Sequence, residues 1–535
     1  MGAWEYVLAG IAEAFLANPA MMIGPVVISW AVLMVVSGFF AGVIIGATPG
    51  LSGPFGMAMA LPILISAFGF TPDALLPVLG FLVGIMKGAT VGGAVPAILF
   101  NTPGTPDAFM TALDGYPMAR KGQGGKALRV AQFSSVSGDT FSDLVLFTCA
   151  PFLAITIEKF LGLPEKAALM VLSLSFVAAV VGKHPAKGIL AASFGFVVAA
   201  IGTGTDPYPR LTLGMDDLAS GFPTIAVFVG VLIIGEIFAS FDLLWRNGIG
   251  GKDLPSGELG DRTLSWKERR GLAPFIGVSM VVGTVIGALP GIGTTLAAAL
   301  GYTAGRKMHK GDVPFGEGAP EGIAATEAAN SAVSGSNLIP ALSLGIPGNV
   351  AAVFIILAAD TIGGFNPGPS VFKFTTETVN TELVIAFGLF TLMMTANIVN
   401  WFTGASFMRL LGGLIKIPAQ ILLPTVLLLT LTSTYVQVGS MFGIYVTLGF
   451  GVIGYLMRLA NAPILPLVIA FILAEPLENA VRNAFEASGS DPWFILQSPV
   501  GLLFLALSLV ILAMSGRLQD SKKKNTSLKS KDQTP

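Results

Sequence analysis

No charged residue occurs from Ala328 to Ala359, and at roughly 20 residues per helical span that run is long enough to cross a bilayer. It is nevertheless not greasy. Asn330, Ser331, Ser334, Ser336, Asn337, Ser343 and Asn349 lie in it, and Pro340 and the pair Pro347-Gly348 break it. In hydrocarbon, polar side chains and interrupted backbone are tolerated only where they face protein or line a water-filled cavity. The stretch Glu321 to Asn349 therefore reads as a site. Close helix packing through its small residues is the plainer reading of the same composition.

The rest of the chain fits a membrane protein. Hydrophobic residues make up 53% of the 535 and charged residues 11%, with apolar runs from end to end, which predicts a polytopic helical protein. The 66 Gly and 34 Pro predict helices that are bent, broken or closely packed. A single cysteine, Cys149, excludes an intrachain disulfide and a Cys-rich zinc site. Only His184 and His309 occur, without an HExxH, and no GxxxxGK[ST] is present, so no catalytic metal, cofactor or nucleotide site is expected. The net charge of −1 gives no reason to invoke nucleic acid. The absence of Lys or Arg before Lys87 argues against a cleaved signal peptide.

The sequence repeats itself. IGATPG (Ile45 to Gly50) returns as IGALPG (Ile286 to Gly291), and PAILFNTPG (Pro96 to Gly104) lines up with PALSLGIPG (Pro340 to Gly348). Leu163-Pro164 and Gly188-Ile189 find Ile417-Pro418 and Gly443-Ile444 in the same order. This predicts a duplication. Basic loops of the first half, such as Pro117 to Arg129, match loops poor in Lys and Arg in the second, so the halves are expected to be inverted. Most of the 30 Lys and Arg then lie on one side, leaving Lys159, Lys166, Arg210, Lys373 and Arg482 outside and Lys87 in the membrane.

The expected fold is an all-α polytopic membrane protein of two inverted-topology repeats with broken or re-entrant helices, about 11 to 12 full spans plus an extra C-terminal span. Residues 1–21 form an N-terminal interfacial segment, 22–245 the first repeat with its first strong span at Met22 to Ile45, and 246–270 a cytoplasmic linker. Residues 271–497 form the second repeat, 498–515 an extra C-terminal transmembrane helix, and 516–535 a basic, disordered cytoplasmic tail, with the N-terminus periplasmic.

Four Pro-Gly pairs sit at corresponding places: Pro49-Gly50, Pro103-Gly104, Pro290-Gly291 and Pro347-Gly348. Proline withholds a backbone donor and glycine admits unusual dihedrals, so each pair is a point of helix interruption, and a lone one would be a simple kink. Broken helices in matching positions of two halves point to a transporter's binding site. Free N–H groups at helix starts suit a carboxylate, and Ser, Thr and Asn oxygens suit Na⁺. The substrate-binding candidates are Thr48, Asn101, Thr102, Ser334, Ser336, Asn337 and Asn349 together with the four pairs. The cation-coupling candidates are Ser52, Asp107, Thr294, Thr295, Glu327 and Asn330, with helix capping an equal reading for Asp107 and Glu327. Lys87 is the one core cation, read first as paired with an acid such as Asp73 or Asp107, with a hold on a substrate carboxylate and simple snorkelling as the alternatives, and Gly80, Gly84, Gly88 and Gly92 read as a packing seam.

The strings GATPGLSGPFG, PAILFNTPGTPDAF, DGYPMARKGQGGKAL and EGIAATEAANSAVSGSNLIPALSLGIPGN resemble the signature segments of the large membrane subunit of the tripartite tricarboxylate transporters (TctA-type). The resemblance runs from about Val35 to Ser515. It implies a bacterial inner-membrane protein working with a small membrane subunit of about four spans and a periplasmic solute-binding protein. It also implies uptake of citrate or a related carboxylate, linked to Na⁺ or H⁺. Ser331 departs from the pattern, standing where a second Asn is expected, which keeps an oxygen but loses an amide donor. A stand-alone cation–carboxylate symporter is the alternative. A passive channel is a third reading, and a membrane enzyme would want a Ser-His pair, an Asp-Asp pair in GxGD-like context or a metal cluster, none of which the sequence offers.

Overall fold

The computed structural model describes residues 2–23, 26–48, 51–101, 107–180, 185–203, 208–247, 263–290, 293–374, 379–414 and 419–513. The basic tail and most of the 246–270 linker lie outside these. In chain order the helices are α1 (Ala3–Leu16), α2 (Trp30–Ala47), α3 (Gly53–Phe68), α4 (Leu75–Phe100), α5 (Ala108–Met118), α6 (Gly124–Phe160), α7 (Leu163–Val180), α8 (Pro185–Ala199), α9 (Thr224–Phe228) and α10 (Gly235–Asn247). They continue as α11 (Trp266–Gly287), α12 (Gly293–Met308), α13 (Pro320–Ser336), α14 (Leu338–Leu344), α15 (Val350–Ile362), α16 (Thr381–Val399), α17 (Ala405–Leu414), α18 (Ala419–Val438), α19 (Met441–Leu459) and α20 (Leu465–Ala487). A last helix covers Pro499–Ala513.

Among the described residues, 7 helices are long and apolar enough to cross a membrane. They are Trp30–Ala47, Pro72–Phe100, Ala108–Thr156, Thr224–Asp242, Trp266–Gly287, Thr381–Leu411 and Met441–Leu459. Shorter apolar helices, including Gly53–Phe68, Val350–Ile362 and Pro499–Ala513, add to them. The protein is an all-α polytopic membrane protein.

The first span departs from expectation at its start. Residues Pro19–Ile23 and Val26–Ser29 pair as an antiparallel hairpin, and the helix begins only at Trp30. Hydropathy does not separate the two forms, but β-branched Val26, Val27 and Ile28 favour a strand. The Ser29 hydroxyl then caps α2 by accepting from Val32 N–H at 3.2 Å. Helix α1 is seated on α16, where Tyr6, Gly10 and Ala14 are buried and the Tyr6 hydroxyl accepts from Asn380 N–H at 3.1 Å. Residues 266–270, expected in the linker, already form the first turn of α11, because Ser265 and Glu268 build a capping box.

The chain forms two compact units. Unit 1 joins Met1–Thr156 to Ser240–Gln437, and unit 2 joins Ile157–Ala239 to Val438–Pro535. Each therefore draws on both halves of the sequence.

In unit 1 glycines set the helix spacing. Gly84, Gly88 and Gly92 of α4 lie against the carbonyls of Val35, Phe39 and Val43, and Gly38, Gly42 and Gly46 of α2 lie against Phe81, Ile85 and Ala89. This is the close contact that small residues allow in lipid. Helix α13 is the centre of the unit, with every residue from Gly322 to Ser336 buried. It meets α11 through Gly283, α12 through Gly301 and α6 through Gly138. Helix α5 packs on α13, and α15 packs on α3 and α4.

In unit 2, α20 packs on α7 and α8, with Gly195 against the Leu467 carbonyl. Arg210 holds Glu478 through two hydrogen bonds of 3.0 and 3.1 Å.

Candidate functional site

The polar stretch is a helix that stops and restarts. At Asn337 the chain leaves α13 for the short α14, Gly345 at φ 72° ends α14, and Ile346-Pro347-Gly348 leads to α15. Only a residue free of a Cβ penalty adopts that left-handed turn at no cost. Asn349 caps α15 by accepting from Ala352 N–H at 2.9 Å. Gly348 rests on Asn337: a Cβ on Gly348 would fall 2.7 Å from the Asn337 carbonyl oxygen and 3.1 Å from its Cβ.

The Asn337 side chain is 1% exposed, and neither its oxygen nor its nitrogen has a protein partner. On α13, Asn330 Oδ1 and Ser331 Oγ are likewise buried without partners. Buried polar groups are ordinarily hydrogen-bonded, so each of these atoms is suited to an external partner.

The remaining candidates fall in several places. Asn101 is exposed, ends α4 in the left-handed region at φ 53°, and donates its N–H to Pro96 O. Thr102, Pro103 and Gly104, with Pro49, Gly50 and Gly291, lie outside the described residues. Thr48 ends α2 with its hydroxyl on Ile44 O at 2.8 Å, and Ser52 caps α3 by accepting from Phe55 N–H at 3.4 Å. Pro290 is in the turn after α11, and Thr294 and Thr295 start α12, half-buried and exposed respectively. Ser336 donates to Ala332 O at 2.8 Å and faces Gly287 of α11. Asn337, Pro347 and Gly348 are the candidates that come together.

Two further clusters occupy the same unit. Glu327, fully buried, accepts from the Thr111 hydroxyl at 2.5 Å and the Ser135 hydroxyl at 2.9 Å. It sits mid-helix and caps nothing. Asp107 is at the N-cap position of α5, 9% exposed.

Lys87 corrects the expected pairing. Its ammonium is 2.8 Å from Asp143 Oδ2 and 3.3 Å from Asp139 Oδ1, all three side chains 2% exposed or less. Asp73 lies exposed before α4, about fourteen residues or 21 Å of helix away at 1.5 Å per residue, too far for Lys87 to reach. Asn397 of α16 donates to Asp143 Oδ2 at 2.7 Å, and the Ser334 hydroxyl contacts Asp139. Gly335 leaves room for Asp143 Oδ1, which any side chain there would strike. Three acceptor oxygens, Asp139 Oδ2, Asp143 Oδ1 and Asn397 Oδ1, are buried without a protein donor. The readable signal for these acids is their spacing, i and i+4 on one face of an apolar helix.

Comparison with known proteins agrees with this architecture. The sequence profile described as "Tripartite tricarboxylate transporter TctA family" matches residues 32–469. The chain belongs to the TctA family. A relative in Agrobacterium vitis, named "Uncharacterized 52.8 kDa protein in TAR-I ttuC' 3'region", is 31% identical over 508 residues, covering 94% of this chain and 95% of that protein. A second from the same organism, "Uncharacterized protein in TAR-II ttuC' 3'region", is 28% identical over 233 residues, 44% of this chain and 93% of that one. The TctA match takes in α13 to α15 with the Lys87 and Glu327 clusters, and the family is one of membrane transporters.

Proposed function

We propose that the chain is the large, translocating subunit of a tripartite, binding-protein-dependent secondary transporter that imports tricarboxylates or related carboxylates together with Na⁺ or H⁺. The observation that carries the reading is the Asn337 amide, buried and unpartnered beside the Pro347-Gly348 break, in a chain of the TctA family. A carboxylate there would accept from the Asn337 amide and from N–H groups at the interrupted backbone. The Pro49-Gly50, Pro103-Gly104 and Pro290-Gly291 segments, with Thr48, Asn101 and Thr102, form the rest of the substrate path.

Coupling is assigned to the buried acids. Lys87 with Asp139 and Asp143 both ionised carries one uncompensated negative charge in a setting where a buried charge is costly unless paired. A cation or proton taken up at the oxygens turned away from Lys87 would neutralise it. Glu327 and Asn330 lie on α13, the helix that brings Ser334 to Asp139, and Asp107 stands at the start of α5; with Ser52, Thr294 and Thr295 they complete the set of oxygen donors for a cation. The protein would sit in the bacterial inner membrane, N-terminus periplasmic and C-terminus cytoplasmic, with a small membrane subunit of about four spans and a periplasmic solute-binding protein as partners.

The test is uptake into proteoliposomes holding both membrane subunits, with the binding protein and labelled citrate outside. Uptake driven by a Na⁺ or pH gradient and dependent on the binding protein is the expected result. Equal uptake without the binding protein would instead indicate a stand-alone symporter. Asn337→Ala and Asn101→Ala should abolish uptake while leaving membrane insertion intact, and wild-type uptake in both would refute the site.

A further inference from the structure

Where α6 and α11 begin, a cleft of about 490 Å³ opens, lined by Arg129, Gln132, Phe133, Arg269 and, from the end of α16 onward, Trp401 and Phe402. No acidic side chain lines it. Arg129 donates to Gln132 Oε1 at 3.4 Å, and Arg269 lies over the Phe133 ring at 5.5 Å from its centroid. The buried Arg269 Nε has no hydrogen-bond partner. Arg409, within electrostatic reach of Arg129, spends its guanidinium on Ala405 O and Ser406 Oγ. The neighbouring acid, Glu268, is committed to Lys126 and Ser265. Two guanidiniums thus face one cleft with their charge unanswered by protein.

We propose that this cleft binds the phosphate of an anionic phospholipid. Guanidinium forks match phosphate oxygens, and basic pockets between membrane helices are suited to anionic headgroups. The rim argues for a lipid over a soluble anion. Phe402 is 82% exposed and Ile398 54%, giving acyl chains an apolar wall beside the charged floor. Trp401 meets Phe133 edge to face at 5.7 Å, and Trp266 lies under Arg270, an aromatic arrangement that favours the boundary between hydrocarbon and headgroups. Arg129 is in the second turn of α6 and Arg269 in the first turn of α11, so both guanidiniums lie close to helix starts.

Native mass spectrometry of the purified full-length protein tests this, with cardiolipin, phosphatidylglycerol or phosphatidylcholine added in detergent. The wild type should retain one cardiolipin or phosphatidylglycerol at least about tenfold more strongly than phosphatidylcholine, and R129Q/R269Q should lose that preference. R269K keeps the charge without the fork and should fall between. Equal retention of phosphatidylcholine, or unchanged cardiolipin retention in the double variant, would overturn the proposal. Displacement of cardiolipin by millimolar inorganic phosphate would assign the cleft to a soluble anion and overturn the lipid source. Because the double variant could fold poorly, a photoactivatable phosphatidylglycerol is also cross-linked to the wild type. Adducts at Trp401 or Phe402 are expected, and adducts confined to other helices would sink the idea.

Discussion

Gly348 and Asn337 touch through the backbone: the glycine lies so close that any Cβ would fall 2.7 Å from the Asn337 carbonyl oxygen. The restart of the chain before α15 is thereby fixed against the point where α13 stops. Gly348→Ala should force the two apart. Overpacking of this kind costs about 1–3 kcal/mol, and a shift worth 1.4 kcal/mol at the site is about tenfold in rate. Uptake in reconstituted vesicles should drop at least about tenfold with insertion intact, and an unchanged rate would mean the contact does not position Asn337.

Lys87→Met leaves Asp139 and Asp143 facing each other without a cation, whereas Asp143→Asn leaves Lys87 paired with Asp139. Breaking a buried pair costs about 3–5 kcal/mol when a charge is left uncompensated. Thermal unfolding in detergent should place Lys87→Met below both wild type and Asp143→Asn. A Lys87→Met protein as stable as wild type would show that the pair is not the structural centre of unit 1.

The α2–α4 seam allows a paired comparison. A methyl on Gly88 would collide with the Phe39 carbonyl, while one on Gly277 of α11 would meet nothing within 4 Å. Gly88→Ala should reduce the folded yield sharply. Gly277→Ala should be neutral or stabilise by about 0.5–1 kcal/mol through helix propensity. Melting curves of the two variants check the contrast, and similar midpoints would argue that α2 and α4 are less closely apposed.

In unit 2, Arg458 donates to Glu236 at 2.8 Å and to the carbonyls of Val231, Leu232 and Gly454 at 2.9 to 3.1 Å. Val231 and Leu232 belong to the wide turn Val229–Ile234, whose carbonyls the helix does not use in the ordinary way. Arg458→Lys keeps the charge but loses the fork, at a cost of about 1.5–3 kcal/mol. Limited proteolysis should then cut residues 224–247 faster than in the wild type, and an unchanged rate would show that the fork contributes little.

The sequence made parts of this legible for physical reasons. A charge-free run rich in Asn and Ser announces burial in a membrane protein, and α13 is buried along its length. Glycines at every fourth place announce a contact face, and α4 uses them against α2. What Lys87 pairs with was not legible. Asp139 and Asp143 are close to it only because α4 and α6 cross at that height, which no local pattern encodes. The hairpin before Trp30 was hidden by its apolar residues, which hydropathy scores as it would a helix.

The interleaving of the two units bears on the order of synthesis. Unit 1 opens with Met1–Thr156 but is completed by Ser240–Gln437. Asp139 and Asp143 therefore leave the ribosome long before Ser334 and Asn397, their later hydrogen-bond partners. Of the side chains that hold the two acids, Lys87 is the one that precedes them in the chain. A chain stalled after the first half would expose a half-lined polar seam to lipid, the kind of defect that marks a nascent membrane protein for degradation.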